Sequence, residues 1–241
     1  MKNSLDNYMK AYKGGLQYDF DNNILLNWYP PRVIELAQST NSILELGIGH
    51  GYATSIFANH FETHTVLDGA PAIIDNFKHK YPNCKANITE TRFEQFTSNE
   101  KFDVIVMGFV LEHVEDPVKI LSHYKTFLSA TGQMFAAVPN AESLNRRIGQ
   151  LAGLLDDVQL LSENDLMLGH KRFYTVNTLK EDITKAGYNV KCMEGIYLKP
   201  LTTPQMLSLD LDESIIDALC KIGVSYPELS CGILCEISPI Q

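Results

Sequence analysis

The sequence predicts an α/β fold built on a doubly wound, mainly parallel sheet, and three observations carry the prediction. Short apolar runs alternate with helical periodicities from residue 43 to residue 139, the pattern of strands joined by right-handed helical crossovers. One run, "FDVIVMG" (102–108), is almost wholly apolar, as a central parallel strand covered on both faces should be. A glycine-rich stretch, "ILELGIGHGYAT" (43–54), falls between an apolar run and a helix-like run, where open α/β sheets carry their ligand-binding turns.

The elements follow in order. Leu5, Tyr8, Met9 and Tyr12 recur at i, i+3, i+4, i+7 and predict an amphipathic helix behind Ser4. "GGLQYDFDNN" reads as a loop with aromatics, and "PPRVIELAQST" as a helix with proline at its start. "SILEL" predicts a buried strand, "YATSIFANH" a helix, "THTVLD" a second strand, and "PAIIDNFKHKY" a helix ending near Pro82. "CKANIT" reads as strand three and "FDVIVMG" as strand four. "DPVKILSHYKTFLSATG" reads as a helix ended by Gly132, and "QMFAAVP" as strand five. After Pro139 the alternation stops, and "NAESLNRRIGQLAGLLDDVQLLSENDLML" reads as a helical insertion. "TLKEDITKAGY" resumes the helix layer, "NVKCMEGIYL" returns to strand, and "ESIIDALCKIG" and "CGILCEISP" are the last helix and strand. No repeat, low-complexity tract or linker divides the chain. We read one domain over 1–241: an N-terminal helical cap (1–39), a core (40–140), an insertion on the substrate side (141–175) and the remainder of the sheet (176–241).

Composition narrows the function. The 241 residues are 45% hydrophobic and 20% charged, an ordinary globular balance with length enough for one sizeable core. The net charge of −9 repels a polyanion on average, so neither nucleic acid nor an anionic membrane surface is an expected partner. No apolar run approaches the roughly 20 residues of a membrane span, and "MKNSLDNYMK" has no apolar signal-peptide core. A cytoplasmic protein, monomer or homodimer, is expected. Cys231 and Cys235 read as neighbours on one strand, about 13 Å apart and too far for a disulfide. Cys84, Cys192 and Cys220 are isolated and lack zinc-type spacing. Free thiols are expected.

The glycines at 47, 49 and 51 are spaced G-x-G-x-G, with Tyr52 where a dinucleotide-binding loop has its third glycine. Asp68 ends the second strand about 20 residues after the first glycine, where an acid accepts hydrogen bonds from both ribose hydroxyls. A glycine loop alone is as often a tight turn; loop, acid and parallel alternation together point to a nucleoside ligand. The loop lacks the Lys-Ser/Thr of a P-loop and is one small residue short for close approach to a pyrophosphate. A nucleoside whose other end is an amino acid fits, and S-adenosylmethionine (SAM) is such a ligand.

"ILELGIGHG", "VLDGA", "KFDVIVMGFVLEHVEDP" and "GQMFAAVPN" resemble the successive motifs of class I SAM-dependent methyltransferases, and most of all the small-molecule enzymes of ubiquinone-biosynthesis type. The resemblance is strong over about residues 40–140; "NAESLNRRIG", "GHKRFYTVNTL" and "YLKPL" are more loosely similar to members from polysaccharide and secondary-metabolite pathways. It implies a Rossmann-like seven-stranded sheet with an antiparallel last strand, SAM as cofactor and S-adenosylhomocysteine (SAH) as product. Glu45, Gly47 and Gly49 would line the methionine end, and Asp68 would hold the ribose beside Gly69. Ile73 and Phe93 would pack on the adenine, with the chain at Arg92 near its edge. Many relatives have Asp where this chain has Arg92, so a backbone contact would replace the side-chain one there. Met107, Gly108 and Phe109 would face the methionine moiety and the methyl group.

Methyl transfer from a sulfonium is an in-line displacement in which the protein chiefly aligns the reactants. His113 in "VLEHVEDP" lies at the carboxyl end of strand four and suits a general base for a hydroxyl acceptor, unless it is a packing residue of the turn. Glu112, Glu115 and Asp116 crowd a helix start that stabilises acids anyway, so no metal is expected. "HFETH" (60–64) lacks metalloprotease spacing and reads as a helix end and strand start. His170, Arg172 and Tyr174 alternate in "GHKRFYT" and would share one face of an extended segment. With Arg146 and Arg147 they would bind an anionic group of the acceptor, or else form a solvated turn. Tyr12 and Tyr18, either side of Gly14–Gly15, would close over the site or join a buried stripe; Leu5 and Met9 are expected in the stripe.

The expected function is methylation of a small polar acceptor, most readily at oxygen: a sugar, a nucleotide-linked intermediate or a natural product. The alternatives are N-methylation of a small amine and SAM binding without catalysis. An NAD-dependent oxidoreductase is disfavoured by Tyr52. A nucleobase-amino methyltransferase would carry Asn/Asp-Pro-Pro-aromatic where this chain reads "MGFVLEH".

Overall fold

The structure is a computed structural model that describes residues 18–240. The expected N-terminal helix, with Tyr12, lies outside the described residues. Within them a seven-stranded sheet has the order β3-β2-β1-β4-β5-β7-β6. Strands β1 (Ser42–Leu46), β2 (Thr63–Asp68), β3 (Asn87–Glu90), β4 (Phe102–Gly108) and β5 (Leu128–Pro139) run parallel. β7 (Gly232–Pro239) inserts antiparallel between β5 and β6 (Tyr188–Ile196). The doubly wound sheet with an antiparallel last strand is therefore the observed fold.

Strand alternation sends side chains into two cores. Leu44, Leu46, Ile105 and Met107 face one layer, and Ile43, Val104, Val106 and Phe135 face the other, so β1 and β4 are apolar on both sides. The strand order reverses between β1 and β4, and a crevice opens beyond their carboxyl ends, where such sheets bind ligands.

Most helices start where their capping chemistry predicts. Pro71 opens α3 (Pro71–Lys80). Pro117 opens α4 (Pro117–Lys125), with Asp116 accepting from Lys119 N at 3.0 Å. The insertion holds α5 (Leu144–Leu151) and α6 (Glu163–Leu168), the latter with a Ser162–Asp165 capping box. α7 (Val176–Lys185) and α9 (Glu213–Gly223) match the expected last two helices.

Several elements depart from expectation. The first described helix, α1, spans Asp19–Leu36 and carries Pro30 and Pro31 inside it, so "DFDNN" is helix rather than loop. The prolines withdraw two backbone donors, but Tyr29, Pro30 and Val33 are buried against the sheet, and that packing overrides the local break. α4 ends at Lys125, and Gly132 lies within β5 rather than at a helix end. A Cβ at Gly132 would stand 2.9 Å from the Phe102 carbonyl oxygen, so close backbone approach explains the glycine. α2 is a short Tyr52–Phe57, and α8 (Thr203–Ser208) follows "YLKPL", where no helix is expected. All five cysteines are free. No described helix is long and apolar enough to cross a membrane.

Candidate active site

The glycine loop is a left-handed backbone locked from two sides. Gly47, Gly49 and Gly51 have φ of 82°, 53° and 81°, which L-residues with a Cβ adopt at a cost. Gly51 is doubly constrained, because a Cβ there would stand 2.5 Å from the Phe77 ring. Asp68 staples the loop: its carboxylate accepts from Ile48 N at 3.0 Å and from Ala70 N at 2.8 Å. Burial still pushes its pKa above the ordinary aspartate range. A carboxylate oxygen can accept more than one hydrogen bond, and Asp68 lines the cavity.

Beneath the loop, Glu45 is buried at the end of β1, and its Oε2 lies 2.9 Å from His64 Nε2 on β2. Phe109, just past β4, has φ 57°, a strained value for an aromatic residue. Its amide donates to the Ala137 carbonyl at 2.7 Å, and its ring meets Tyr29 edge-on at 5.8 Å. Gly108 has to be glycine, since a Cβ would stand 2.2 Å from the Tyr29 hydroxyl.

One cavity of about 880 Å³ runs from this loop. It brings together Tyr18, Glu45, Gly47, Gly49, Asp68, Gly69, Ile73, Arg92, Phe93, Gly108, Phe109, His113, Arg146 and His170 of the sequence-predicted set. Three expected residues stand elsewhere. Met107 is fully buried in the core layer below, because strand alternation turns it away from the crevice. Tyr174 is buried in that core, its hydroxyl donating to Asp182 at 3.1 Å. Arg172 donates to the carbonyls of Leu111, Val114 and Glu115 at 2.8, 2.6 and 3.1 Å. It clamps the turn that presents Glu112 and His113, and is not among the cavity's walls. The expected shared face of 170, 172 and 174 fails because Gly169, His170, Lys171 and Phe173 meet the cavity while Arg172 and Tyr174 do not. Arg146 lines the cavity, but its guanidinium donates to the Val158 and Leu160 carbonyls and stacks on Phe173 at 4.6 Å. Arg147 turns back to Glu142.

His113 sits in a titratable cluster. Its ring meets His170 edge-on at 4.8 Å. Burial, then the neighbouring His170, pushes its pKa down to about 3, so it is neutral at working pH with one nitrogen lone pair available. His170 Nδ1 lies 3.4 Å from Asp165 Oδ1. Glu112 is buried below, its Oε1 4.0 Å from His113 Nε2 and its Oε2 without a hydrogen-bond partner. Ligand-type atoms of Glu112, His113 and His170 lie within 4.8 Å of one another, a wider spread than the about 3 Å between adjacent ligands of an ion bound at 2.0–2.1 Å.

Burial pushes the Glu112 carboxyl up to about 7 from 4.5. The folded state therefore holds a proton that the unfolded chain releases, and the stability this one carboxyl contributes is greatest below about 4.5 and falls as pH rises to about 7. Glu112→Gln is expected to remove a fall of about 3 kcal/mol across that window, read as melting temperature against pH for both proteins. Parallel curves would refute it.

Sequence reading missed the far wall. Asp21 of α1, Lys199 and Thr203 line the cavity and are buried together. Lys199 Nζ lies 2.7 Å from Asp21 Oδ2 and 3.0 Å from Thr203 Oγ1, and the Thr203 hydroxyl donates to the same Asp21 oxygen. Tyr18, Asp21, Asn22, Leu25 and Tyr29 line the cavity at helical spacing. That stripe was the available signal, and reading "DFDNN" as a loop broke it.

Comparisons with known proteins give the family and the fold. Residues 19–192 match the family model described as a methyltransferase domain. The ubiquinone biosynthesis O-methyltransferase of Parvibaculum lavamentivorans is 33% identical over 117 residues, which cover 48% of this chain and 44% of that protein. Its counterpart in Acinetobacter baumannii is 23% identical over 212 residues, 84% of this chain and 86% of the other. Among solved structures, the N-methyltransferase NodS from Bradyrhizobium japonicum, in complex with SAH, superposes with a TM-score of 0.62 at 14% identity, covering 98% of this chain and 100% of that one. Magnesium protoporphyrin IX methyltransferase from Synechocystis, with bound SAH, gives 0.62 at 10% identity, covering 97% and 93%.

Proposed function

We propose, because the chain belongs to the methyltransferase domain family and is a class I SAM-dependent methyltransferase, that it methylates a small polar acceptor, most readily at oxygen. The observation that carries this is the single cavity joining the Asp68-stapled loop to His113 and on to Asp21, Ser143, Asn145, Lys199 and Thr203. Cofactor and acceptor would lie end to end in it, with the methyl group between Phe109 and His113. A chamber walled by hydrogen-bonding groups suits a hydroxylated acceptor: a sugar, a nucleotide-linked intermediate or a natural product. The overall negative charge argues against nucleic acid as the acceptor.

In this reading Asp68 receives the ribose hydroxyls, Glu45 and the glycines flank the amino-acid end, and Ile73 and Phe93 sandwich the adenine. The SAM sulfonium supplies the methyl group. His113, held edge-on against the His170 ring, offers its lone pair to the acceptor hydroxyl and aims the oxygen at the methyl carbon. A neutral hydroxyl that attacks becomes a protonated ether, far more acidic than imidazolium, so even the weakly basic His113 can take that proton as the carbon–oxygen bond forms. The same weak basicity favours a second reading, N-methylation of a neutral amine, which needs no base in the transition state.

The test is calorimetric titration with SAH, with NAD as control, then transfer from radiolabelled SAM to matched hydroxyl and amine acceptors. SAH binds and NAD does not. His113→Ala costs about 10²-fold in kcat on a hydroxyl acceptor, and only a few-fold on an amine. Absence of SAH binding by the folded protein would overturn the proposal.

A further inference from the structure

We infer that His64 is a positioning residue for the amino-acid end of the cofactor, holding the Glu45 carboxylate in place from beneath. The inference rests on reading the cavity as a SAM site. His64 closes "HFETH" and sits on β2 opposite Ile43, with Val66 opposite Glu45. The imidazole and the carboxylate therefore lie on the same face of neighbouring strands, as diagonal neighbours two residues apart in register.

Both groups are buried, Glu45 at 2% and His64 at 3% exposure, and Glu45 is part of the cavity wall. A carboxylate this far from water requires a hydrogen-bonding partner. His64 Nε2, 2.9 Å from Glu45 Oε2, supplies it. The tautomer follows from the other nitrogen. His64 Nδ1 is buried with no hydrogen-bond partner, so a proton there would be an unsatisfied buried donor. The proton belongs on Nε2, which donates to Glu45. Phe57 meets the imidazole edge-on at 6.3 Å and fixes its plane.

The consequence is a one-sided carboxylate. One oxygen is tied down by His64, the side chain is pinned against the sheet, and the charge is presented to a cationic group in the cavity. The α-ammonium of SAM or SAH is such a group. Without His64, Glu45 would lose this sheet-side donor and be free to swing away from the cavity wall.

The experiment uses two probes that share adenosine and thioether: SAH, and 5′-methylthioadenosine, which lacks the amino acid. Titrations of the full chain should show His64→Leu weakening SAH about tenfold or more while leaving 5′-methylthioadenosine within twofold. His64→Gln, whose amide can donate at the same place, should recover most of the loss. Glu45→Gln, which keeps the shape and removes the charge, should reproduce the selective loss should the His64→Leu protein fail to fold. Equal weakening of both probes would mark His64 as a general packing residue and overturn the inference, and so would unchanged SAH affinity. A wild-type protein that binds 5′-methylthioadenosine no more weakly than SAH would overturn it too. Binding of neither probe would instead remove the cofactor reading on which it stands.

Discussion

Asp68→Ala is expected to lower SAH affinity about 10³-fold while leaving a folded protein. The magnitude comes from two sources. A buried carboxylate hydrogen-bonded to ribose hydroxyls contributes about 1.5–3 kcal/mol per bond, and two such bonds disappear together. The same carboxylate also holds Ile48 N and Ala70 N, so its removal leaves two amides of the binding loop without partners. The left-handed glycines at 47, 49 and 51 then lose the anchor that selects one loop shape, and the loop has to be ordered at the expense of binding. Asp68→Asn separates the two contributions. An amide side chain has one carbonyl oxygen and so can accept from only one of the two backbone donors, while its NH₂ faces the other. Asn should therefore recover little of the loss, although it is nearly isosteric. Titration of both variants with SAH, alongside thermal melts, checks this. Affinity within threefold of wild type in the Ala variant would mean that Asp68 neither holds the ribose nor fixes the loop for binding.

The pattern around Asp68 was legible because its physics is local. A strand that ends in an acid, a glycine turn at the neighbouring strand's end and a helix behind it are all encoded within 12 to 25 residues. Sequence periodicity reads such distances well. The parallel alternation from β1 to β5 was legible for the same reason. Arg172 was misread because alternation in "GHKRFYT" assumes an extended strand with a free face. The guanidinium instead found three carbonyls some 60 residues earlier in the chain. A fork of five donors and no acceptor is drawn to unpaired carbonyls at a turn, and no local pattern announces where those are. The prolines in α1 misled in the opposite direction: a strong local signal for a helix start was overridden by the burial of Tyr29 and Val33. His113 lines the cavity, but its ordinary pKa did not survive burial beside His170. Chemistry assigned from residue type alone inherits that error whenever the environment shifts the group.

Lys199→Met should destabilise the fold by about 3–5 kcal/mol, since it breaks a buried pair from one side. Asp21 and Lys199 are 178 residues apart in sequence, and their contact ties α1 to the segment that leads into α8. Asp21 Oδ1 is buried with no partner, so Oδ2 carries the whole burden of neutralising that carboxylate. Without the ammonium, only the Thr203 hydroxyl remains on it among the described residues. A chain of this size loses about 2–4 °C per kcal/mol, and a fall of about 6–20 °C is expected by calorimetry. The double variant Asp21→Leu/Lys199→Met should regain most of it, because replacing both partners by apolar groups removes the uncompensated charge. Stability and function then part company. If the pair exists for the fold, the double variant will turn over acceptor normally. If Asp21, Lys199 and Thr203 form the wall that reads the acceptor's hydroxyls, the double variant will be as stable as wild type, will bind SAH as tightly, and will have a raised acceptor KM. A single variant whose melting temperature stays within 2 °C of wild type would show that the pair is hydrated and does not hold the fold.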